Sequence, residues 1–240
     1  MDKLRLRFEK TGRAVYISHL DLMQTMQRAF ARAEYDLKYS EGFNPHPQIS
    51  ILLPLSVGAA SRCELMDFKL KTDVDLQQLP RRLTAVLPEG IVVTDCYESV
   101  RKVAQLKYLR IQGTFEYDDR DPAAMAEELS SFFAVPEIVI TKKTKRGFGE
   151  ADIKPAIREI AFTAADQAVT LEAVISAQEP TLNPELLAEA LRQKAPALAP
   201  DFARFTRLET YNAALEIYRE NKKNPLHSKG KCVIIPRLVR

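Results

Sequence analysis

The order in which strand-like and helix-like segments follow one another constrains this chain more than any other feature of its sequence. Leu4, Leu6 and Phe8 alternate with charged residues, a period of two that predicts a half-buried strand with a basic outward face. An apolar stripe at helical spacing then predicts a helix over about residues 19–34. A strand is predicted to begin at 37–39, to be interrupted by a loop at 42–47 and to resume at 48–56. A strand at 64–70, a helix at 75–87 and a strand from 91 follow. The resulting order, β-α-β-β-α-β, is the ferredoxin-like pattern.

The second half of the chain repeats this order, although no sequence identity links the two halves. Strands are predicted at 106–117, 137–142, 152–163, 168–175 and 202–211, and helices at 121–133 and 184–194. The predicted fold class is therefore α+β, with two tandem ferredoxin-like units, each an antiparallel sheet with helices on one face. The units are assigned to residues 1–100 and 101–212, and a basic C-terminal tail to residues 213–240.

Several common classes of protein lack support in the sequence. Cys63, Cys96 and Cys232 are far apart and form no C-x-x-C pair, which argues against a zinc ribbon, an iron–sulfur cluster or a disulfide framework. The phosphate-binding glycine motifs and the nucleophile elbow of common hydrolases are missing as well. We therefore expect no cofactor and no bound metal.

The expected location is the cytoplasm. No apolar run approaches the roughly 20 residues that a membrane span requires, so no membrane partner is expected. The N-terminus lacks the apolar core of a signal peptide. The net charge is +3, and residues 211–240 carry seven basic and two acidic side chains. Such a tail is either a nucleic-acid contact or a solvated chain end.

Two polar clusters in the first unit contain two of the three histidines. Ser18 is predicted to cap the helix with Asp21 at its third position, and His19 lies between them. The stretch Gly42-Phe43-Asn44-Pro45-His46-Pro47 is predicted to be a rigid loop, because each proline fixes its own backbone and restricts the residue before it.

Three interpretations of these clusters stay open. His19 and His46 could form an acid–base pair, as a metal-independent ribonuclease would need. They could bind a metal with Asp21 as a third ligand. Alternatively, they are structural anchors or binding contacts. Ser18, Asp21, Asn44 and Arg13, which ends the turn before the helix, are candidate substrate contacts.

A cationic loop in the second unit is the other candidate site. It contains Lys142, Lys143, Lys145, Arg146 and Phe148, with glycines at 147 and 149. Lysines, an arginine and an aromatic ring on one turn suit phosphate contact combined with base stacking. The competing interpretation is a solvated hairpin tip without a ligand.

Taken together, three motifs resemble a known family, the radical-SAM-associated domain of unknown function. They are Leu4-Arg5-Leu6-Arg7-Phe8 through Thr11-Gly12-Arg13, Ser18-His19-Leu20-Asp21-Leu22-Met23, and Tyr39-Ser40-Glu41-Gly42-Phe43-Asn44-Pro45-His46-Pro47. Downstream, Asp152-Ile153-Lys154-Pro155 resembles that family's Asp-Ile-Arg-Pro segment with Lys154 in place of Arg. The resemblance implies a radical-SAM protein as partner and RNA or a ribosomal component as substrate. It carries over no catalytic residue.

The sequence leaves open whether the chain is an enzyme. Our leading hypothesis is an accessory, substrate-binding protein that works with a radical-SAM enzyme in RNA or ribosome-related modification. The first alternative is a metal-independent endoribonuclease or RNA-modifying enzyme using His19 and His46. The second is a structural adaptor without a site of its own, in which both polar clusters only order the first unit.

Overall fold

The computed structural model describes residues 3–144 and 147–219, so Lys145, Arg146 and most of the predicted basic tail lie outside the described residues. Ten strands and four helices are present in the described ranges. The strands are β1 Leu4–Lys10, β2 Ile49–Ile51, β3 Ala60–Phe68, β4 Ile91–Glu98, β5 Tyr108–Glu116, β6 Val139–Thr144, β7 Gly147–Asp152, β8 Ile157–Ala165, β9 Ala168–Ser176 and β10 Phe202–Tyr211. The helices are α1 His19–Arg32, α2 Leu79–Thr84, α3 Pro122–Ala134 and α4 Glu185–Lys194.

Eight of the strands form one continuous, mostly antiparallel sheet in the order β4-β1-β3-β10-β5-β9-β8, with β2 also paired to β3. The expectation of two separate sheets is therefore wrong. On the edge of β3 that faces away from β1, the short strand β2 pairs only with Met66–Phe68. β10 pairs in parallel with the start of the same edge, at Ala60 and Ser61. The pairing satisfies backbone groups that would otherwise be left open at the centre of the molecule.

Each half of the sheet packs its apolar side chains against its own two helices. In the first half, Leu4, Leu6 and Phe8 are buried with apolar residues of α1 and α2. Phe30 of α1 and Phe68 of β3 lie with their ring centroids 4.9 Å apart. In the second half, residues of β5 and β9 are buried with α3 and α4. The α+β class with helices packed on the sheet is thus confirmed.

Element boundaries differ from prediction where proline or loop chemistry intervenes. α2 covers only Leu79–Thr84 instead of 75–87, because Pro80 lacks an N–H and fits only the first turn of a helix. The strand predicted at 37–39 consists of two isolated bridges, at Leu37 and Tyr39, and its predicted continuation at 48–56 is reduced to β2. The strand predicted at 152–163 begins at Ile157, after a short helical turn at Lys154–Ala156.

The cationic loop is also different from prediction, since β6 and β7 form a separate two-stranded sheet. Lys143 lies opposite Phe148 and Lys142 opposite Gly149 in this hairpin. The predicted loop residues on either side of positions 145 and 146 therefore belong to paired strands. The hairpin follows α3 and precedes β8.

Candidate nucleic-acid interface

The polar cluster at the start of α1 is occupied by helix capping. The Ser18 hydroxyl accepts a hydrogen bond from the backbone N–H of Asp21 at 3.2 Å and donates one to the Asp21 carboxylate at 2.7 Å. These bonds satisfy one of the helix's otherwise unpaired N–H groups. His19 is the first helical residue and is partly exposed. Arg13 is exposed and has no ion pair among the described residues.

The second cluster closes a hairpin-like loop, which we call the Phe43 loop (residues 39–47). Tyr39 and Pro47 form an isolated bridge at its base. The Ser40 N–H donates to the His46 carbonyl at 2.9 Å, and the Ser40 hydroxyl accepts from the His46 N–H at 3.1 Å. The same hydroxyl lies 2.9 Å from Nδ1 of His46. His46 is therefore an anchor that holds the loop, and Asn44 is exposed near the tip.

The structure does not bring the two clusters together. His19 begins α1, whereas the base of the Phe43 loop is bonded beside Lys69, past the other end of α1, where the Lys38 N–H donates to the Lys69 carbonyl at 2.8 Å. Fourteen helical residues place the two ends of α1 about 20 Å apart. Within residues 3–144 and 147–219, no hydrogen bond or ion pair joins the clusters. The geometry thus adds no support for an acid–base pair of His19 and His46.

The described residues contain no group of three or more His, Cys, Asp or Glu side chains that could hold a metal ion. None of their helices has the length and apolarity needed to cross a membrane.

The β6–β7 hairpin presents a cation and an aromatic ring on one exposed face. Because Lys143 and Phe148 are directly opposite each other, their side chains point to the same side of the hairpin. Both are exposed, and 80% of the Phe148 side chain is accessible to solvent. Lys142 lies on the other face and is partly buried, in line with the buried Ile140.

The base of this hairpin is fixed to the body of the protein. The side-chain amide of Gln193 in α4 accepts from the Thr141 N–H and donates to the Thr141 carbonyl, both at 2.8 Å. Ile140 is fully buried in the core of the second half. A rigid base therefore carries an exposed cationic and aromatic end, the arrangement that suits phosphate contact and stacking.

The Asp152-Ile153-Lys154-Pro155 segment has a structural explanation. One carboxylate oxygen of Asp152 accepts the backbone N–H groups of Ile138 and Lys154, each at 2.9 Å. Ile153 is buried, and the Lys154 ammonium donates to the Phe133 carbonyl in the last turn of α3. A cation suits the negative end of a helix dipole. These contacts join α3, β6 and β7.

The basic face of β1, predicted to point outward, is buried. Only 1% of Arg5 and 8% of Arg7 is exposed. Arg5 Nε donates to Asp67 at 2.6 Å and its Nη1 to the Tyr218 hydroxyl at 2.8 Å. Arg7 donates through both Nη atoms to Glu209, at 2.7 and 3.2 Å. Sequence reasoning missed these pairs because the acidic partners are distant in the chain.

The two cysteines in the described part of the chain, Cys63 in β3 and Cys96 in β4, are buried and unbonded to each other. Burial, followed by the nearby Glu64 charge, raises the pKa of Cys63 to about 12. The Cys63 thiol is therefore protonated at neutral pH, and a protonated thiol is a poor nucleophile. Both residues serve as small side chains in strands.

Residues 3–184 match the family model described as "Uncharacterized protein conserved in bacteria (DUF2344)". The chain belongs to the DUF2344 family. Its match covers the α1 cap, the Phe43 loop, the β6–β7 hairpin and the Asp152–Pro155 segment. No curated protein sequence matches the DUF2344 chain significantly.

Three solved structures show distant similarity to this DUF2344 protein. A Cbf5-Nop10-Gar1 complex component aligns at 9% identity and a TM-score of 0.45, covering 86% of this chain and 48% of that chain. The DUF2344 chain therefore spans about half the length of that relative. An unknown protein from Galdieria sulphuraria aligns at 7% identity and TM-score 0.25, covering 86% and 98%. CRISPR endoribonuclease Cse3 bound to a 19-nucleotide RNA aligns at 15% identity and TM-score 0.19, covering 85% and 99%.

Proposed function

We propose that this DUF2344 protein is an accessory, RNA-binding protein that presents an RNA or ribosomal substrate to a radical-SAM enzyme. The observation that carries the RNA-binding part is the exposed Lys143–Phe148 pair on a hairpin whose base is fixed to α4. An exposed aromatic ring beside a lysine allows a base to stack while its phosphate meets a cation. In the sequence, Lys145 and Arg146 stand between Thr144 and Gly147.

The radical-SAM partner is supported by the motifs of residues 3–70 and their resemblance to the radical-SAM-associated family. The two-histidine ribonuclease remains a prediction to which the geometry adds no support.

We also infer that the single sheet arose from two ferredoxin-like units. In the first half, the strand order β4-β1-β3-β2 places the fourth strand beside the first, followed by the third and second. The order β10-β5-β9-β8 repeats this arrangement in the second half, when the β6–β7 hairpin is treated as an insertion. Each half thus has the β-α-β-β-α-β connectivity of that fold. The exposed hairpin is the part that has no counterpart in the first half.

RNA binding is tested by titrating a fluorescently labelled single-stranded RNA with the full chain and measuring anisotropy at several salt concentrations. Phe148→Ala is expected to weaken binding by about 5- to 100-fold, since base–aromatic stacking contributes about 1–3 kcal/mol. Lys143→Ala is expected to reduce the slope of log affinity against log salt by about 0.7, the value for one lost phosphate contact.

Arg81→Ala is the matched control, because Arg81 is an exposed cation on α2 without an ion pair among the described residues. It is expected to leave both affinity and salt slope unchanged. The partner is tested separately, by affinity purification from the native host with identification of bound proteins. The proposal fails in its RNA-binding part if the wild-type chain binds no RNA. It fails in its partner part if no radical-SAM protein is recovered.

A further inference from the structure

The Phe43 loop holds a phenylalanine ring entirely in water. The exposed fraction of Phe43 is 110% of the reference value, so the ring touches almost nothing in the rest of the chain. A buried side chain of this kind would contribute about 1.5–3 kcal/mol to stability. Gly42, beside it, has a φ of +119°, a backbone conformation that residues other than glycine rarely adopt. Phe43 therefore contributes no burial free energy to the fold, and the chain turns sharply at Gly42, just before it.

The loop that presents Phe43 is held in one conformation. Ser40 and His46 are joined by a backbone bond of 2.9 Å and by two contacts of the Ser40 hydroxyl. The side chain of Gln48 donates to the Tyr39 carbonyl at 3.1 Å, and its backbone N–H donates to the Lys38 carbonyl at 2.8 Å. Prolines at 45 and 47 restrict the remaining backbone. A loop backbone held in this way loses little conformational freedom when Phe43 binds a partner.

Lysines lie on one face at the base of the loop. Leu37 pairs with Leu70, which places Lys38 opposite Lys69 and Asp36 opposite Lys71. Because side chains alternate along a strand, these charged residues point away from the buried leucines. Asp36 offsets Lys71 in part, but Lys38 and Lys69 directly face each other without an ion pair among the described residues. Like charges in that position are unfavourable unless an anion lies between them.

We propose that the Phe43 loop binds an unpaired nucleotide of the RNA, with the base stacked on Phe43 and a backbone phosphate held by Lys38 and Lys69. Phe43 lies five positions after Lys38 in the chain, so their Cα atoms are at most about 17 Å apart. This distance is short enough for one stretch of RNA to contact both residues. A base inside a duplex has no free face to stack on the ring, whereas an unpaired base does. This inference rests on the proposed function and narrows its substrate to single-stranded RNA or an RNA loop.

The test compares a labelled single-stranded RNA with the same sequence annealed into a duplex, using anisotropy titrations of the full chain. Phe43→Ala is expected to weaken binding of the single strand by about 5- to 100-fold and to leave the duplex affinity unchanged. Phe43→Tyr keeps a stacking ring and is expected to bind like the wild type. Lys38→Ala/Lys69→Ala is expected to reduce the salt slope by about 0.7, the value for the one phosphate that the two lysines hold.

Tyr16→Ala is the matched control, because Tyr16 is an aromatic residue with 74% exposure outside the loop. Phe43 has no packing role, so its variants are expected to keep the wild-type unfolding midpoint.

If Phe148→Ala weakens RNA binding but Phe43→Ala does not, the inference is overturned and the proposed function stands. If Phe43→Ala instead abolishes recovery of a protein partner at unchanged RNA affinity, the loop is a protein-binding element and the inference is again overturned. If the wild-type chain binds no RNA, both fail.

Discussion

The paired charges on β1 show how single residues connect the two halves of the molecule. Arg7 lies in the first half, and its partner Glu209 is 202 positions away in β10. Both side chains are about nine-tenths buried. Removing one partner of such a pair leaves the other as an uncompensated buried charge, at a cost of about 3–5 kcal/mol. The pair therefore specifies how β10 lies relative to β1.

The free energy of unfolding is expected to depend on pH because of the Arg7–Glu209 pair. Burial alone would raise the pKa of Glu209, but the hydrogen bonds and charge of Arg7 outweigh it, so the pKa is lowered from its ordinary value of 4.5. The stabilisation is therefore complete above about pH 4.5 and is lost as pH falls through the lower value in the folded state. Glu209→Gln is expected to lower the free energy of unfolding by about 3–5 kcal/mol at pH 7, with a smaller difference at pH 3.

Urea unfolding followed by circular dichroism at pH 3 to 7 measures this difference. Glu172→Gln is the control, since Glu172 pairs with Arg110 at 2.6 Å in a more exposed setting. The accessible fraction of the side chain is 47% for Glu172 and 28% for Arg110. Its effect is expected to stay below about 1 kcal/mol. A Glu209→Gln deficit that is the same at every pH would contradict the assignment.

Among the secondary-structure elements, α3 and the β6–β7 hairpin are coupled through Lys154. Its ammonium donates to the Phe133 carbonyl at the end of α3, and its backbone N–H donates to Asp152 at the end of β7. Lys154 therefore connects the last turn of α3 to the end of β7 through two separate hydrogen bonds. The resemblance to the Asp-Ile-Arg-Pro segment is explained by this role, because arginine can also donate to the last carbonyls of a helix.

Lys154→Ala is expected to lower the free energy of unfolding by about 1–2 kcal/mol, since a charged donor at the helix end is lost. Lys154→Arg is expected to retain most of the stability. Chemical unfolding of the purified variants gives both values. Lys194→Ala is the control, because Lys194 is an exposed cation in the last turn of α4 with no ion pair among the described residues. An equal loss in the alanine and arginine variants would refute the capping role.

On the scale of the whole molecule, the single sheet makes the two halves interdependent. β3 and β10 pair across the junction, and Tyr218 from the end of the described chain covers Arg5 in the first strand. The Tyr218 hydroxyl also donates to carbonyl groups at Arg101 and Lys102, in the connection between the halves, at 3.0 Å. The first half thus depends on contacts supplied by residues at the other end of the chain.

We expect the full chain to unfold in one transition and residues 1–100 alone to be much less stable. In that fragment Arg5 would lose Tyr218 and Arg7 would lose Glu209, leaving two buried cations with fewer partners. Far-UV circular dichroism and hydrogen exchange during urea unfolding measure whether both halves respond together. A fragment with the unfolding midpoint of the full chain, or two separate transitions in the full chain, would contradict the prediction.

The elements best predicted from sequence are those whose signals are local. α1 begins one residue after its Ser18 cap, and β10 has the predicted bounds Phe202–Tyr211. The rigidity of the Phe43 loop also follows from its own prolines and glycine. α2 was overestimated because its leucine spacing continues beyond the turn in which Pro80 can be placed.

The candidate interface was predicted in part. The local sequence indicated a cationic loop and a rigid loop, since both consist of consecutive residues, but it did not indicate that the cationic loop is a paired hairpin. Their exposed faces depend on register, because Lys143 faces the same way as Phe148 only when the two are directly opposite. The lysine pair Lys38 and Lys69 was missed for the same reason, since these residues are neighbours across strands but far apart in the chain.

Hydrophobic period, capping residues and prolines act within a few residues of one another, so local sequence located most of the helices, strands and rigid turns. The tertiary structure was needed to show that the two halves share one sheet and that the basic face of β1 is buried. Those outcomes depend on pairing between segments up to about 200 residues apart, as with Arg7 and Glu209. A local sequence pattern predicts that a side chain lies on one face of a strand. Only the packing of other elements determines what covers that face.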